Sequence, residues 1–286
     1  MSRSIAACWP SSPSTTPRHS PRSSTWLAPI SPPRLPDRSP DGPDTVPADA
    51  PHLTSTSSDR VKAVRALHSR SGRRKAGRFV VEGPQAVSSA LDAGVPVHEL
   101  FVDEHARIVF SDLVDRAAGT GARIVTAEPH VMVAMGETEH PQGVLAVCAL
   151  LPGASLDEIL GAPAPVLILD RVADPGNVGT ILRTAEAVGV AGVLLTPECA
   201  DVHGGKVVRA TTGSLFRVPV LADIPMAEII AGVRAHGRPL AVATGDGGES
   251  LFDAVDSGVV SPLTCFVIGS EAHGVGEEAR AAADVC

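Results

Sequence analysis

The chain has 286 residues, 44% apolar and only 3% aromatic, with no tyrosine, so its core must come from Ala, Val, Leu and Ile, as in a helix-and-parallel-sheet protein. A formal charge of −8 at pH 7 excludes nucleic-acid binding by global charge and leaves it to a local patch. Cys8, Cys148, Cys199, Cys265 and Cys286 lack CxxC or His-paired spacing, and no run reaches the roughly 18 to 20 apolar residues of a membrane helix; no metal, no disulfide framework and no membrane contact are expected, and a reduced, cytoplasmic setting is.

Residues 1–56 hold twelve of the 25 prolines, interleaved with Ser, Thr and Arg, and carry no sustained apolar period, which predicts a disordered tail. From Asp59 helix and strand signals alternate. DRVKAVRALHSR sets Val61, Val64 and Leu67 on one helical face. FVVEG, HELFVD, RIVTA and GVLAVCAL read as strands, and PQAVSSALDAG, ARIVFSDLVDRAAG and PHVMVAM as helices, giving a small α/β unit over 57–150. Residues 151–164 read as a linker with a short helix, Pro- and Gly-bearing at both ends.

The unit over 165–286 opens with the apolar strand PVLILD, a loop ADPGNVG, and the helix TILRTAEAVG; GVLL, PLAVAT and CFVIGS follow as strands, and KVVRATTGSLF and PMAEIIAGVRAHG as helices. That alternation predicts a mostly parallel sheet with ligands beyond the carboxyl ends of its strands. Neither GxxxxGK[ST] nor GxGxxG follows the first strand, so a Walker site and an ordinary dinucleotide fingerprint are both unsupported.

One stretch is markedly one-sided in charge: residues 59–78 hold Arg60, Lys62, Arg65, Arg70, Arg73, Arg74, Lys75 and Arg78 against the single acid Asp59. In an acidic chain this is a candidate RNA-binding face, and the scarcity of aromatics points to recognition of backbone and shape over base stacking.

LDRVADPGNVGTILRTAEAVGV resembles the first motif of the TrmH/SpoU family of RNA ribose 2′-O-methyltransferases, in the SPOUT superfamily. RATTGSLFRVPV and FVIGSEAHGVG resemble the family's next two blocks, and RFVVEGPQAVSSALDAGVPVHELFVDE with HPQGVLAV is similar to its RNA-binding domain. The resemblance implies a SPOUT trefoil-knot α/β fold, S-adenosylmethionine as cofactor, rRNA or tRNA as substrate, and a homodimer. Residue by residue, it implies catalytic roles for Asn177, Arg183 and Glu271, a cofactor pocket lined by Ala243, Thr244, Gly245, Gly269 and Ser270, and for Arg209 a contact to RNA or to a partner subunit.

A guanidinium is a poor general base, so Arg183 is better suited to binding phosphate and polarising a hydroxyl; outside the family context it would read as a helix-surface residue paired with Glu186 or Asp174. Glu271 reads equally as a carboxylate at a helix N-terminus. Ser270 stands where the family commonly has Asn, and the chain ends at EEARAAADVC, where the family continues into a third motif that completes the knot, so truncation is expected, with an incomplete knot and weak cofactor affinity. The alternative function is a catalytically inactive RNA-binding protein of the same lineage; a nucleotide-dependent oxidoreductase is disfavoured by the missing fingerprint.

Overall fold

The computed structural model describes residues 50–245 and 247–286; residues 1–49, most of the expected tail, and Asp246 lie outside the described residues. The last part of that expected tail joins the fold: β1 (His52–Leu53) pairs in parallel with β4 (Arg123–Ala127). The helix expected over DRVKAVRALHSR ends early, at Ala66, and a second helix begins at Arg70. Ser58 caps α1 (Asp59–Ala66), and Ser69, whose hydroxyl accepts from the Gly72 N–H, starts α2 (Arg70–Ala76), which ends on Gly77 at φ 64°.

The first sheet adds β2 (Arg78–Glu82), β3 (Val97–Val102) and β5 (Val144–Ala149), in the order β1-β4-β3-β5-β2. Strand β3 runs parallel to β4 and antiparallel to β5, which also pairs antiparallel with β2. Helices α3 (Pro84–Asp92), α4 (Glu104–Val109), α5 (Ser111–Gly119) and α6 (Pro129–Met135) connect the strands. The single helix expected over 106–119 breaks at Phe110, and Asp103 caps its first half through the Ala106 N–H. Helices α1 and α6 cover one face, where Val61, Val64, Phe101, Val131 and Met135 form a core.

After α7 (Leu156–Gly161), which starts on a Ser155/Glu158 capping box, the second sheet is formed by β6 (Val166–Asp170), β7 (Gly192–Leu195), β8 (Val220–Ala222), β9 (Leu240–Val242) and β10 (Cys265–Gly269). Its order is β8-β7-β6-β10-β9, and every neighbouring pair is parallel. The chain builds outward from β6 through β7 to β8, then crosses to the other edge for β9 and returns with β10 against β6. The direction of winding therefore reverses between β6 and β10, the position at which open parallel sheets bind ligands.

Around this sheet lie α8 (Pro175–Val188), α9 (Gly205–Ala210), α10 (Met226–Ala235), α11 (Leu251–Asp256) and α12 (Glu277–Ala282). The stretch 206–216, expected as one helix, stops at Ala210; Thr212 at φ 49° and Gly213 at φ 100° turn the chain into a short 3-10 segment, Ser214–Phe216. A side chain at Gly213 would strike the Ser89 hydroxyl of α3. The final residues run along the outer edge of β9: the Val242 N–H donates to the Val285 carbonyl at 2.9 Å.

One apolar cluster passes from β2, α3 and α5 into α8, α9 and β7, so the two sheets share a core. Polar struts flank it. Arg73 is 5% exposed and donates to the Leu67 and His68 carbonyls, each at 2.8 Å, and to Asp201 Oδ2 at 2.7 Å. His203 stacks edge-on against Phe79 with centroids 4.9 Å apart and accepts from the Leu151 N–H at 3.3 Å. Glu82 takes hydrogen bonds from the Thr138 hydroxyl, the Glu137 N–H at 3.2 Å and Arg209 at 3.3 Å.

Candidate active site at the sheet crossover

Asp174 caps α8 by accepting from the Asn177 N–H at 2.8 Å, and Pro175 occupies its first turn. The expected loop ADPGNVG is consequently short: Asn177 and Arg183 both lie on α8, with Gly189 at φ 70° closing it. Val178, Gly179, Leu182 and Ala185 form the buried face. Gly179 is required there because a Cβ would sit 2.3 Å from the Ala210 Cβ, so α8 and α9 pack backbone to backbone.

Asn177 Nδ2 donates to Glu271 Oε1 at 2.7 Å, joining residues 94 apart in sequence. Arg183 is exposed, and among the described residues it has no ion-pair partner; Glu186 is engaged by Arg217 and Asp174 by the helix cap. Six residues of helix separate Arg183 from Asn177, about 9 Å of rise and roughly a third of a turn in facing. The two therefore do not share a helix face. A ligand touching both must span that distance.

The two candidate cofactor turns leave neighbouring strands at the same end. Strand β9 pairs with β10 through Val242 and Val267, and the Ala243 N–H donates to the Val267 carbonyl at 3.0 Å. Beyond it, Ala243 and Gly245 are exposed and the Thr244 hydroxyl donates to the Gly247 carbonyl at 2.6 Å. After β10, the Gly274 N–H donates to the Ser270 carbonyl at 2.8 Å and the His273 N–H to the Ser270 hydroxyl at 3.2 Å, folding Ser270–Gly274 into a tight turn. A Cβ at Gly269 would lie 2.1 Å from the Gly274 carbonyl carbon, so only glycine allows this backbone approach. Two side-chain-poor turns facing one crossover suit a nucleoside ligand held by main-chain groups, and S-adenosylmethionine fits that description. No cluster of three metal-ligating side chains occurs among the described residues, and no helix there is long and apolar enough to cross a membrane.

The basic residues divide. Lys62, Arg65, Arg74, Lys75 and Arg78 are exposed on α1, α2 and the start of β2; Arg60 is half-buried and pairs with Glu99 at 3.2 Å. Arg73 departs from expectation: its guanidinium is buried against Asp201 and is not open to a phosphate. Arg209 is half-buried and pairs through Nη1 with Glu82 at 3.3 Å and Glu137 at 3.5 Å. The reason is tertiary: β2 and α2 pack on the loop and helix after β7, and acids from those segments take up the charge. A cleft of about 790 Å³ beside β8, lined by Arg70, Asp201, Leu151 and Val220, lies apart from the crossover; its rim cations Arg70 and Arg74 both pair with Asp223.

Burial sets the ionisation of several groups. It pushes the Cys148 thiol up to about 12 and raises Cys199 and Cys265, leaving all three protonated at neutral pH. Burial also holds His203 below the usual imidazole value, only partly offset by Asp201. At Asp201 burial acts upward, but the bond from Arg73, the His203 N–H, the Arg73 charge and the His203 ring when protonated outweigh it and keep the carboxyl below its ordinary range. Spacing alone missed the acids and the histidine that hold the two sheets together. A sequence signal existed only for Asp170, a carboxylate ending the apolar run VLIL.

The SpoU rRNA Methylase family model matches residues 164–286, and an MRM3-like substrate binding domain matches residues 58–146. The chain is 35% identical over 192 residues to a 23S rRNA (guanosine(2553)-2′-O)-methyltransferase, RlmP, of Bacillus subtilis (strain 168), covering 66% of this chain and 73% of that protein. It is 32% identical over 234 residues to a 23S rRNA (uridine(2479)-2′-O)-methyltransferase of Streptomyces viridochromogenes, covering 76% of each. Among solved structures, an AdoMet-bound rRNA methyltransferase from Sinorhizobium meliloti superposes with a TM-score of 0.71 at 28% identity, over 81% of this chain and 85% of that one. The SpoU methyltransferase AviRb from Streptomyces viridochromogenes, in complex with AdoMet, does so at 0.66 and 31%, over 80% and 87%. The matched ranges take in both sheets and the β6/β10 crossover of the second, and the chain belongs to the SpoU/TrmH family of RNA 2′-O-methyltransferases.

Proposed function

We propose that the protein is an S-adenosylmethionine-dependent RNA methyltransferase that modifies a ribose 2′-hydroxyl of rRNA or tRNA. The observation that carries the reading is the Asn177–Glu271 bond at the β6/β10 crossover, with the exposed Arg183 on the same helix. When bound, the cofactor would supply an electrophilic methyl group to the ribose oxygen and leave as S-adenosylhomocysteine, the 2′-hydroxyl proton passing to solvent. Ala243, Thr244 and Gly245 on one turn, and Gly269 and Ser270 on the other, would hold it through main-chain groups. Arg183 binds the phosphate beside the target ribose and stabilises negative charge developing on the 2′-oxygen. Asn177 and Glu271 orient one another and present one amide and one carboxylate to the substrate.

The same reading gives residues 57–150 the RNA-binding role, 151–164 the role of linker and 165–286 catalysis, with Arg60, Lys62, Arg65, Arg74, Lys75 and Arg78 as the phosphate-facing set. It extends to a cytoplasmic location and a homodimeric state, the latter open to sedimentation analysis. The functional test is Arg183→Ala: S-adenosylmethionine affinity by calorimetry stays within about twofold while methyl transfer falls by about 10² or more, the scale of removing one electrostatic interaction from a transition state. Unchanged turnover removes Arg183 from the site.

A further inference from the structure

Asp170 is the last residue of β6 and only 5% exposed. A carboxylate at such a position is costly unless its oxygens are satisfied. Here the donors come from three separate segments. The Gly276 N–H, at the start of α12, reaches Oδ2 at 2.7 Å; Arg171 Nε and Nη2 approach at 3.3 Å each; and the buried Thr196 hydroxyl, just past β7, lies at 3.4 Å. Thr196 also accepts from the Arg171 N–H at 2.9 Å, holding Arg171 at φ 55°, a left-handed conformation that a non-glycine residue adopts only when its surroundings impose it.

The same residue meets both ends of the turn that carries Glu271. Its backbone is in register with Gly269, where the turn leaves β10, and its side chain binds Gly276, where the turn ends. A Cβ at Gly276 would stand 3.0 Å from Arg171 Nη2 and 3.1 Å from Asp170 Oδ2, so the closure is tight on both sides. Four residues further along the chain, Asp174 starts α8 and thereby places Asn177, the partner of Glu271.

We propose that Asp170 is a positioning residue: its buried carboxylate closes the Gly269–Gly276 turn and so sets Glu271 opposite Asn177. This rests on the functional reading above, in that Glu271 is taken as part of the reacting site. Asp170 itself touches no substrate and acts through Glu271.

The full chain carrying D170N, E271Q or both separates the possibilities. Asn keeps the shape of the side chain and one acceptor for Gly276 but loses the charge against Arg171. D170N lowers kcat by about tenfold with the KM for RNA within about twofold, and the double variant is no slower than E271Q alone, because two residues acting as one unit are not additive. Additive losses, or a D170N turnover equal to the parent, overturn the proposal. Hydrogen exchange, which needs no turnover, supplies the second readout. In D170A the amides of residues 270–276 exchange about tenfold faster or more while the strand amides of β6 and β10 keep their protection; unaltered exchange in that turn overturns the proposal, and global loss of protection transfers the same measurement to D170N. If E271Q turns over like the parent, the functional reading fails instead, and the exchange data still decide whether Asp170 closes the turn.

Discussion

Replacing Asp201 by Ala tests whether Arg73 is a strut between the sheets or an RNA contact. In the folded protein Arg73 is 5% exposed, its Nη groups are spent on the Leu67 and His68 carbonyls and on Asp201, and its Nε has no partner. Asp201→Ala leaves that guanidinium buried without its counter-charge, a change that costs about 3–5 kcal/mol for a fully buried pair. The Asp201 side chain is 20% exposed, so water screens part of the loss and about 2–4 kcal/mol is expected. For a fold of this size each kcal/mol moves Tm by roughly 2–4 °C, so calorimetry should record a fall of about 5–15 °C. Arg70→Ala provides the contrast: its side chain is 43% exposed, its short pair is with the exposed Asp223 at 2.6 Å and it approaches Asp201 only to 3.8 Å, so it costs below about 1 kcal/mol. Asp201→Ala should also leave the salt dependence of RNA binding unchanged, because no phosphate-binding cation is removed. An Asp201→Ala protein that melts within about 2 °C of the parent, or an Arg73→Met protein with intact stability and a flattened salt slope, refutes the strut.

The exposed cations behave in the opposite way: Arg74, Lys75 and Arg78 changed together to Glu leave Tm within about 2 °C and lower the slope of log affinity against log salt by about one for each phosphate that is no longer neutralised; an unaltered slope returns them to the role of solvating charges. His203 makes stability acid-sensitive. Its pKa is lowered by folding, so above the ordinary imidazole value of about 6.5 both states are neutral and its contribution is complete. As pH falls below that value the unfolded chain takes up the proton first and stability drops, by at most about 1.4 kcal/mol per pH unit. His203→Gln should flatten denaturation midpoints measured between about pH 7 and 5, and an unchanged profile discounts this histidine. Of the cysteines in the described residues, Cys286 is exposed while Cys148, Cys199 and Cys265 are buried; alkylation of the native protein at pH 8 should label Cys286 and spare those three until denaturant is added, and rapid labelling of any of them contradicts the packing.

Much of the architecture is legible in local patterns. The apolar runs VLILD, GVLL and CFVIG became β6, β7 and β10, since a strand covered on both faces must be apolar along its length whatever its neighbours are. Boundaries failed where a single side chain or a backbone torsion decides: Ser69 restarts a helix, Asp174 lengthens α8 into the expected loop, and Thr212 with Gly213 cuts the helix expected over 206–216. Composition marked 59–78 as basic, but charge counting cannot tell an exposed arginine from one aimed inward. Arg74 and Arg73 are neighbours in sequence, and only the packing of α2 against the loop after β7 separates a solvent-facing cation from a buried strut.

The motifs by themselves nominate the site's candidates, because Asn177, Arg183, Glu271 and the glycine-bearing turns stand in the order of the family they resemble. Their relations were decided by tertiary structure. That Asn177 meets Glu271 across 94 residues, and that Asp170 gathers Gly276, Arg171 and Thr196, both depend on the crossover between β6 and β10. Sequence patterns register the burial preference of each segment one at a time. The pairing of polar groups at the crossover depends instead on the geometry with which separate segments meet, and that geometry exists only once the sheet has wound past its point of reversal.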